Sequence, residues 1–256
     1  QAAASAALSD GIHVEVLTAE LEGENRAPRP VRFRSTNNLT RHAHSAYEMR
    51  RRGVESRILP FLGDVLSAGF DETTTTTHGD IMIYTNADIG VQLDFYKVVA
   101  KYAERHQGFV INRVEIPETD ADGEKFTKLD LEALYALGKS RPQRHAGYDC
   151  FVWRRRATPY LRLFTRGVFV GYPPVGRVLK DAISCVSPTF AEIKGRKHTF
   201  HVGDRNGAWS TFPQYEHYNR KAAKRAQRDF ARILFGTFSL GAACTAVKKK
   251  RKNNDD

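Results

Sequence analysis

Cysteine is scarce in this chain. There are three, Cys150, Cys185 and Cys244, and no two form a CxxC pair. An odd count at wide spacing gives neither an even disulfide framework nor the paired spacing of a zinc knuckle, so a reducing compartment is expected. Long apolar runs are lacking too. No stretch approaches the ~20 residues that a membrane helix needs. Residues 233–247 (ILFGTFSLGAACTAV) come nearest but are short and rich in small residues, so no membrane span is expected. The opening QAAASAALSDG has neither a basic start nor a long apolar centre and does not read as a signal peptide. Acidic residues are in deficit: 29 Asp and Glu face 40 Lys and Arg, for a net charge of +11. That balance suits polyanionic partners such as nucleic acid, nucleotides or an acidic membrane surface, with solubility alone as the plainer alternative.

What is present fits a globular enzyme-sized chain. The 256 residues are 41% hydrophobic, enough for one large α/β domain with a sizeable core. Residues 1–10 are Ala- and Ser-rich and are expected to fray, 11–240 to form the domain, and 241–256 to be a basic tail. Strands are predicted over 12–17, 54–60, 81–85, 109–116, 150–155, 168–173 and 198–203. Helices are predicted over 36–52, 94–106, 129–138, 177–186 and 214–235. Polar, turn-rich segments at 22–31, 71–80 and 118–126 read as loops. Strands alternating with helices argue for a mostly parallel sheet with helices on both faces.

The segment GDIMIYTNADIGVQLDFY (79–96) is the most informative. The apolar run 81–85 reads as a strand buried on both faces, and Asn86-Ala87-Asp88 stands at its carboxyl end, where ligands of open α/β sheets collect. A carboxylate beside an amide suits a hard divalent cation; a simple turn is the structural alternative. Asp149, in GYDC just before a predicted strand, is a candidate general base or an Asx-turn cap.

These segments resemble the GT-A nucleotide-diphosphosugar transferases. IYTNADIGV is similar to the variant DxD motif of that family. FVINRVEI (109–116), HAGYDCFVWRR (145–155), VFVGYPPVGRVL (168–179) and HTFHVGDRNGAW (198–209) resemble later family segments in the same order. The resemblance implies a Rossmann-like GT-A sheet, a nucleotide-sugar donor such as a UDP-sugar, and Mn²⁺ or Mg²⁺ between carboxylate and diphosphate. It implies that Asp88 binds the metal and that Asn86, where the family usually has Asp, ligates it or holds the ribose. His201 matches the histidine that completes the metal shell; a half-buried strand histidine is the alternative. Asp149 would be the single base of an inverting transfer.

Further candidates are weaker. Arg113, read as exposed at a strand end, could pair with a donor phosphate or an acceptor. Tyr172, in the rigid turn GYPPVG, could flank the acceptor. Trp209 could stack on a sugar or base, although core packing is the commoner fate of a lone Trp. On the helix 214–235, Lys221, Arg225, Arg228 and Arg232 line one stripe that could follow a nucleic-acid backbone or form a solvated face. The run KKKRK (248–252) resembles a nuclear import signal. Basic charge and import-like tail together point to a nuclear acceptor and so to the nucleus. Within the family the chain then resembles the branch of kinetoplastid base J glucosyltransferases, and that resemblance implies transfer of glucose from UDP-glucose to hydroxymethyluracil in DNA. A glycan or protein glycosyltransferase of the secretory pathway (Golgi) or a cytoplasmic one, and a non-catalytic nucleic-acid-binding module, are the alternatives.

Overall fold

The computed structural model describes residues 2–21, 33–39, 59–68, 70, 80–86, 88–116, 131–140, 143–195, 197–203, 213–236 and 239–252. In chain order they form α1 (Ala2–Ser9), β1 (Val16–Leu21), β2 (Phe33–Leu39), α2 (Leu62–Ala68), β3 (Ile81–Thr85), β4 (Ile89–Val91), α3 (Phe95–Ala103) and β5 (Gly108–Ile116). There follow α4 (Leu131–Ser140), β6 (Gln143–Arg154), a 3₁₀ turn (Arg155–Ala157), α5 (Thr158–Phe164), α6 (Val175–Val186), β7 (Phe190–Ile193), β8 (Thr199–Val202), α7 (Pro213–Phe235) and α8 (Leu240–Lys252). Among the described residues no helix is long and apolar enough to cross a membrane.

The class is mixed α/β, but the sheet is not mostly parallel. The main sheet runs β3-β6-β5-β8-β4, with β7 also paired to β5. β3–β6, β6–β5 and β8–β4 are antiparallel; β5–β8 and β5–β7 are parallel, as is the separate β1–β2 pair. The direction differs because β5 and β6, though separated by α4, return as neighbours in opposite senses. Hydrophobic periodicity reports element type and burial, not the sense in which a connection returns.

Alternation along the strands feeds two cores. On one face Met82, Tyr84, Val110, Phe151 and Trp153 pack with α5, α6 and α7. On the other, Ile81, Ile83, Phe109, Ile111, Cys150 and Val152 pack against Phe95, Val99 and Ala103 of α3. Burial on both faces explains the continuous apolar runs of β5 and β6. α7 turns Ala223, Ala226, Phe230 and Ala231 inward at helical spacing. Gly176, at the start of α6, is required by close approach: a Cβ there would stand 2.9 Å from the Tyr148 carbonyl oxygen.

Other expectations change as well. The N-terminal residues are helical over Ala2–Ser9, with Ala3 and Ala7 buried, because alanine both favours helix and fits close packing. The expected helix 36–52 begins inside strand β2, and its remainder from residue 40 lies outside the described residues, as do the loop 118–126 and nearly all of the expected strand 54–60. Residues 168–173 form turns with one isolated bridge, Phe61 to Phe169, rather than a strand. Their backbone is held by Asn219: its amide accepts from Phe169 N at 2.8 Å and donates to the Phe169 and Tyr172 carbonyls at 3.1 and 2.9 Å. The basic tail is helical to Lys252, and Cys244 on it forms a disulfide with Cys185 of α6. The odd count of cysteines thus resolves into one bridge and one buried thiol, Cys150. The two bridged residues are 59 apart in sequence, so only the packing of α8 on α6 brings them together.

Candidate active site

The sheet curls, and the curl makes the site. β3 and β4 are the two ends of the five-strand path, yet they are consecutive in the chain, joined through positions 86–88. In a flat sheet four inter-strand spacings would part them by about 19 Å. Four residue steps reach about 15 Å at most. The two edges must therefore approach at this end, where Ile89 N donates to the Asn86 carbonyl at 3.2 Å.

Asp149 stands opposite this turn, in the interior of β6 rather than in a turn before it. Ile111 pairs with Cys150 and Asn112 with Tyr148, so Asp149 is the extra residue of a β-bulge. A bulge breaks the alternation and re-aims one side chain without disturbing the core on either side. The Asn112 amide donates to the Gly147 carbonyl at 2.9 Å and fixes the distorted segment.

The carboxylate is held from two sides. Asn86 Nδ2 donates to Asp149 Oδ1 at 3.2 Å, and the Asn86 Oδ1 accepts from the Tyr84 hydroxyl at 3.1 Å. Arg113 NH1 lies 2.9 Å from Asp149 Oδ2, while its NH2 donates to Glu115 Oε1 at 3.0 Å. Arg113 was expected to be exposed at a strand end. It is instead buried, because β5 continues to Ile116 and carries Arg113 and Glu115 on the same face. Burial, then the charges of Asp149 and Asp88, push the Tyr84 phenol well above its ordinary range, so it remains a donor. Burial first and Asp149 second push up the Cys150 thiol too, which removes it as a nucleophile.

Across the sheet, His201 of β8 is level with Glu115 in the parallel ladder and pairs with Ile89 on its other side. Its Nε2 lies 3.3 Å from Asp88 Oδ2. Its Nδ1 is buried without a hydrogen-bond partner among the described residues. Asp88 is open, with its side chain 61% exposed. Asn86, Asp88, Arg113, Asp149 and His201, chosen from segments more than a hundred residues apart, are thus gathered at one end of the sheet.

The remaining candidates are placed elsewhere. Tyr172 is buried, its ring stacked on Tyr215 at 4.7 Å, and serves packing rather than an acceptor. Trp209 lies outside the described residues. Arg225, Arg228 and Arg232 are exposed on α7, which packs on α5 and α8 rather than on the strands of the site. Arg232 is 3.7 Å from Asp229. Sequence reasoning missed Glu115 and Tyr84; the signal for Glu115 was available, since two charges two apart in an apolar strand must face one another's surroundings inside the core.

The divalent ion that the resemblance implies can be tested against these donors. Among the described residues no group of three or more His, Cys, Asp or Glu could hold a metal ion. The Asp88–His201 pair offers one oxygen and one nitrogen donor beside open space. That set fits an ion carried largely by substrate phosphates and water, as Mg²⁺ commonly is, and not a closed protein cage. No protein-family model matches the chain, and neither a curated protein nor a solved structure matches it.

Proposed function

We propose that this chain is a nucleotide-sugar-dependent glycosyltransferase with Asp149 as its general base. The observation that carries the reading is the convergence of Asn86, Asp88, Arg113, Asp149 and His201 at one curled sheet end. An inverting transfer needs one carboxylate aimed at an acceptor hydroxyl, and the bulge supplies one. The acceptor oxygen attacks the anomeric carbon and gives its proton to Asp149. The anomeric carbon–oxygen bond breaks, and the nucleoside diphosphate leaves with the electron pair. Asn86 orients the base and borders the donor, and Arg113 holds the second carboxylate oxygen. Asp88 and His201 are the residues that would hold Mn²⁺ or Mg²⁺, which when bound would offset the charge of the departing diphosphate.

The mostly antiparallel sheet departs from the mostly parallel GT-A form; only the β5–β7 and β5–β8 ladders and the separate β1–β2 pair are parallel, and the reading rests on the site rather than on the sheet. Two acceptors follow from two different observations. Among the described residues Lys221, Lys224, Arg225 and Arg228 of α7 are exposed and make no ion pair. That face suits a nucleic-acid backbone, and with it the base J reading: UDP-glucose as donor, hydroxymethyluracil in DNA as acceptor and the nucleus as address. The Cys185–Cys244 disulfide favours an oxidising compartment and so a glycan or protein acceptor in the secretory pathway.

The test is release of nucleoside diphosphate from a set of sugar nucleotides with Mn²⁺ or Mg²⁺. Parallel arms contain hydroxymethylated duplex DNA, oligosaccharides or a peptide. Metal-dependent release that rises with one acceptor class supports the reading and names the acceptor. Absence of both release and metal-dependent nucleotide binding overturns it.

A further inference from the structure

Glu115 is only 3% exposed, and the transfer step as written gives it no part. It contacts Arg113, whose guanidinium is a rigid planar fork. One arm of the fork, NH2, meets Glu115 Oε1 at 3.0 Å; the other, NH1, meets Asp149 Oδ2 at 2.9 Å. Both residues belong to β5, the central strand of the sheet, and Glu115 is paired on both sides, with Gln143 of β6 and His201 of β8. Asp149 sits at the bulge, where backbone pairing alone does not set its direction. An arginine side chain has several rotatable bonds and would not by itself fix where its fork points. A second carboxylate on the same strand does so.

We infer that Glu115 is a positioning residue for the base: it locks the fork of Arg113, and the locked fork holds the Asp149 carboxylate towards the acceptor. This rests on the transferase reading above. Glu115 acts on Asp149 through Arg113, so its loss slows the chemical step and leaves donor binding alone. The Glu115 contact with the fork requires an acceptor oxygen but not a full charge, so glutamine can supply it through Oε1.

The experiment is a double-mutant cycle on turnover. Glu115→Met keeps length and apolar fit but removes the acceptor oxygen; Glu115→Gln keeps that oxygen. The expected result is a fall in kcat of about tenfold or more for Glu115→Met, the scale of a misplaced catalytic group, with donor KM unchanged. Glu115→Gln recovers most of that loss. In the Asp149→Asn background, Glu115→Met changes the residual turnover by less than about twofold, because residues that act as a unit are not additive. A purely structural Glu115 would lower turnover equally in both backgrounds, and that outcome overturns the inference. Equal kcat losses for Gln and Met overturn it as well. If Glu115→Met fails to fold, Arg113→Lys carries the same comparison, since it keeps the charge but lacks the fork. Wild-type turnover that survives in Asp149→Asn removes the base assignment and this inference with it. Wild-type turnover that needs Asp149 but ignores Glu115 removes this inference alone.

Discussion

Replacing Arg113 with methionine removes a charge from between two carboxylates while keeping most of the side-chain volume. The side chains of Arg113, Glu115 and Asp149 are 7%, 4% and 12% exposed, so solvent screens them little. At 2.9 Å and an effective dielectric near 20, each Arg–carboxylate contact carries a Coulomb attraction of about 6 kcal/mol. In the intact protein most of that is offset by the cost of taking the charges out of water. The variant keeps the desolvation of the carboxylates and loses the attraction, which puts the expected loss at about 3–5 kcal/mol. That is a large part of the 5–15 kcal/mol typical of a folded domain. Urea denaturation of wild type and Arg113→Met at pH 7, followed by circular dichroism, measures the loss. A loss below about 1 kcal/mol at pH 7, the range of an exposed pair, would refute the buried bridge.

Three other outcomes are expected. Asp88→Ala leaves the unfolding midpoint almost unchanged, as for exposed positions in general, but abolishes metal-dependent binding of a sugar nucleotide in titration calorimetry; unchanged Mn²⁺-dependent binding would remove Asp88 from the site. Denatured, unreduced protein titrates one thiol, Cys150, and breaking the Cys185–Cys244 bridge costs up to about 4 kcal/mol for the 59-residue separation; three titratable thiols would exclude the bridge. Glu192 is lowered to about 2, chiefly by its hydrogen bond to Lys194 and then to the Tyr148 hydroxyl, against an ordinary 4.5. Its contribution is therefore present above pH 4.5 and is lost as the pH falls towards 2. Glu192→Gln loses less stability than wild type across that interval in acid titration, and identical curves would contradict the assignment.

Much of the site was readable because its residues are polar exceptions at the ends of apolar strands. Asn86 and Asp88 follow IMIYT, and His201 interrupts HTFHV. Asp149 precedes CFVW, and the core pattern of that run was legible as well. The bulge was not: alternation reads cleanly on either side of Asp149, and only the partner strand reveals an extra residue. Arg113 was misplaced because a charged residue was read as exposed at a strand end, although it lies inside the 109–116 run and is buried there with Glu115. The 168–173 segment has strand composition, but Asn219, some fifty residues later, captures its backbone groups. The helix α7 was read almost to its ends, since its apolar spacing is long and regular. Sheet direction and the disulfide depend on how distant segments return to one another, which local pattern does not encode.

The short span between β3 and β4 has a consequence for how this chain can vary. Surface connections usually accept extra residues at little cost, because the entropy of closing a longer loop grows slowly. This one has no such latitude. Its reach is what draws the two edge strands together, and the residues at its ends, Asn86 and Asp88, face Asp149 on one side and His201 on the other. Lengthening it would let the edges relax apart and would widen the gap between the amide and the carboxylate while leaving both cores intact. Insertions here would therefore give a stable protein with a dismembered site, so insertion scanning across 86–88 separates fold from chemistry more cleanly than any point substitution in the strands.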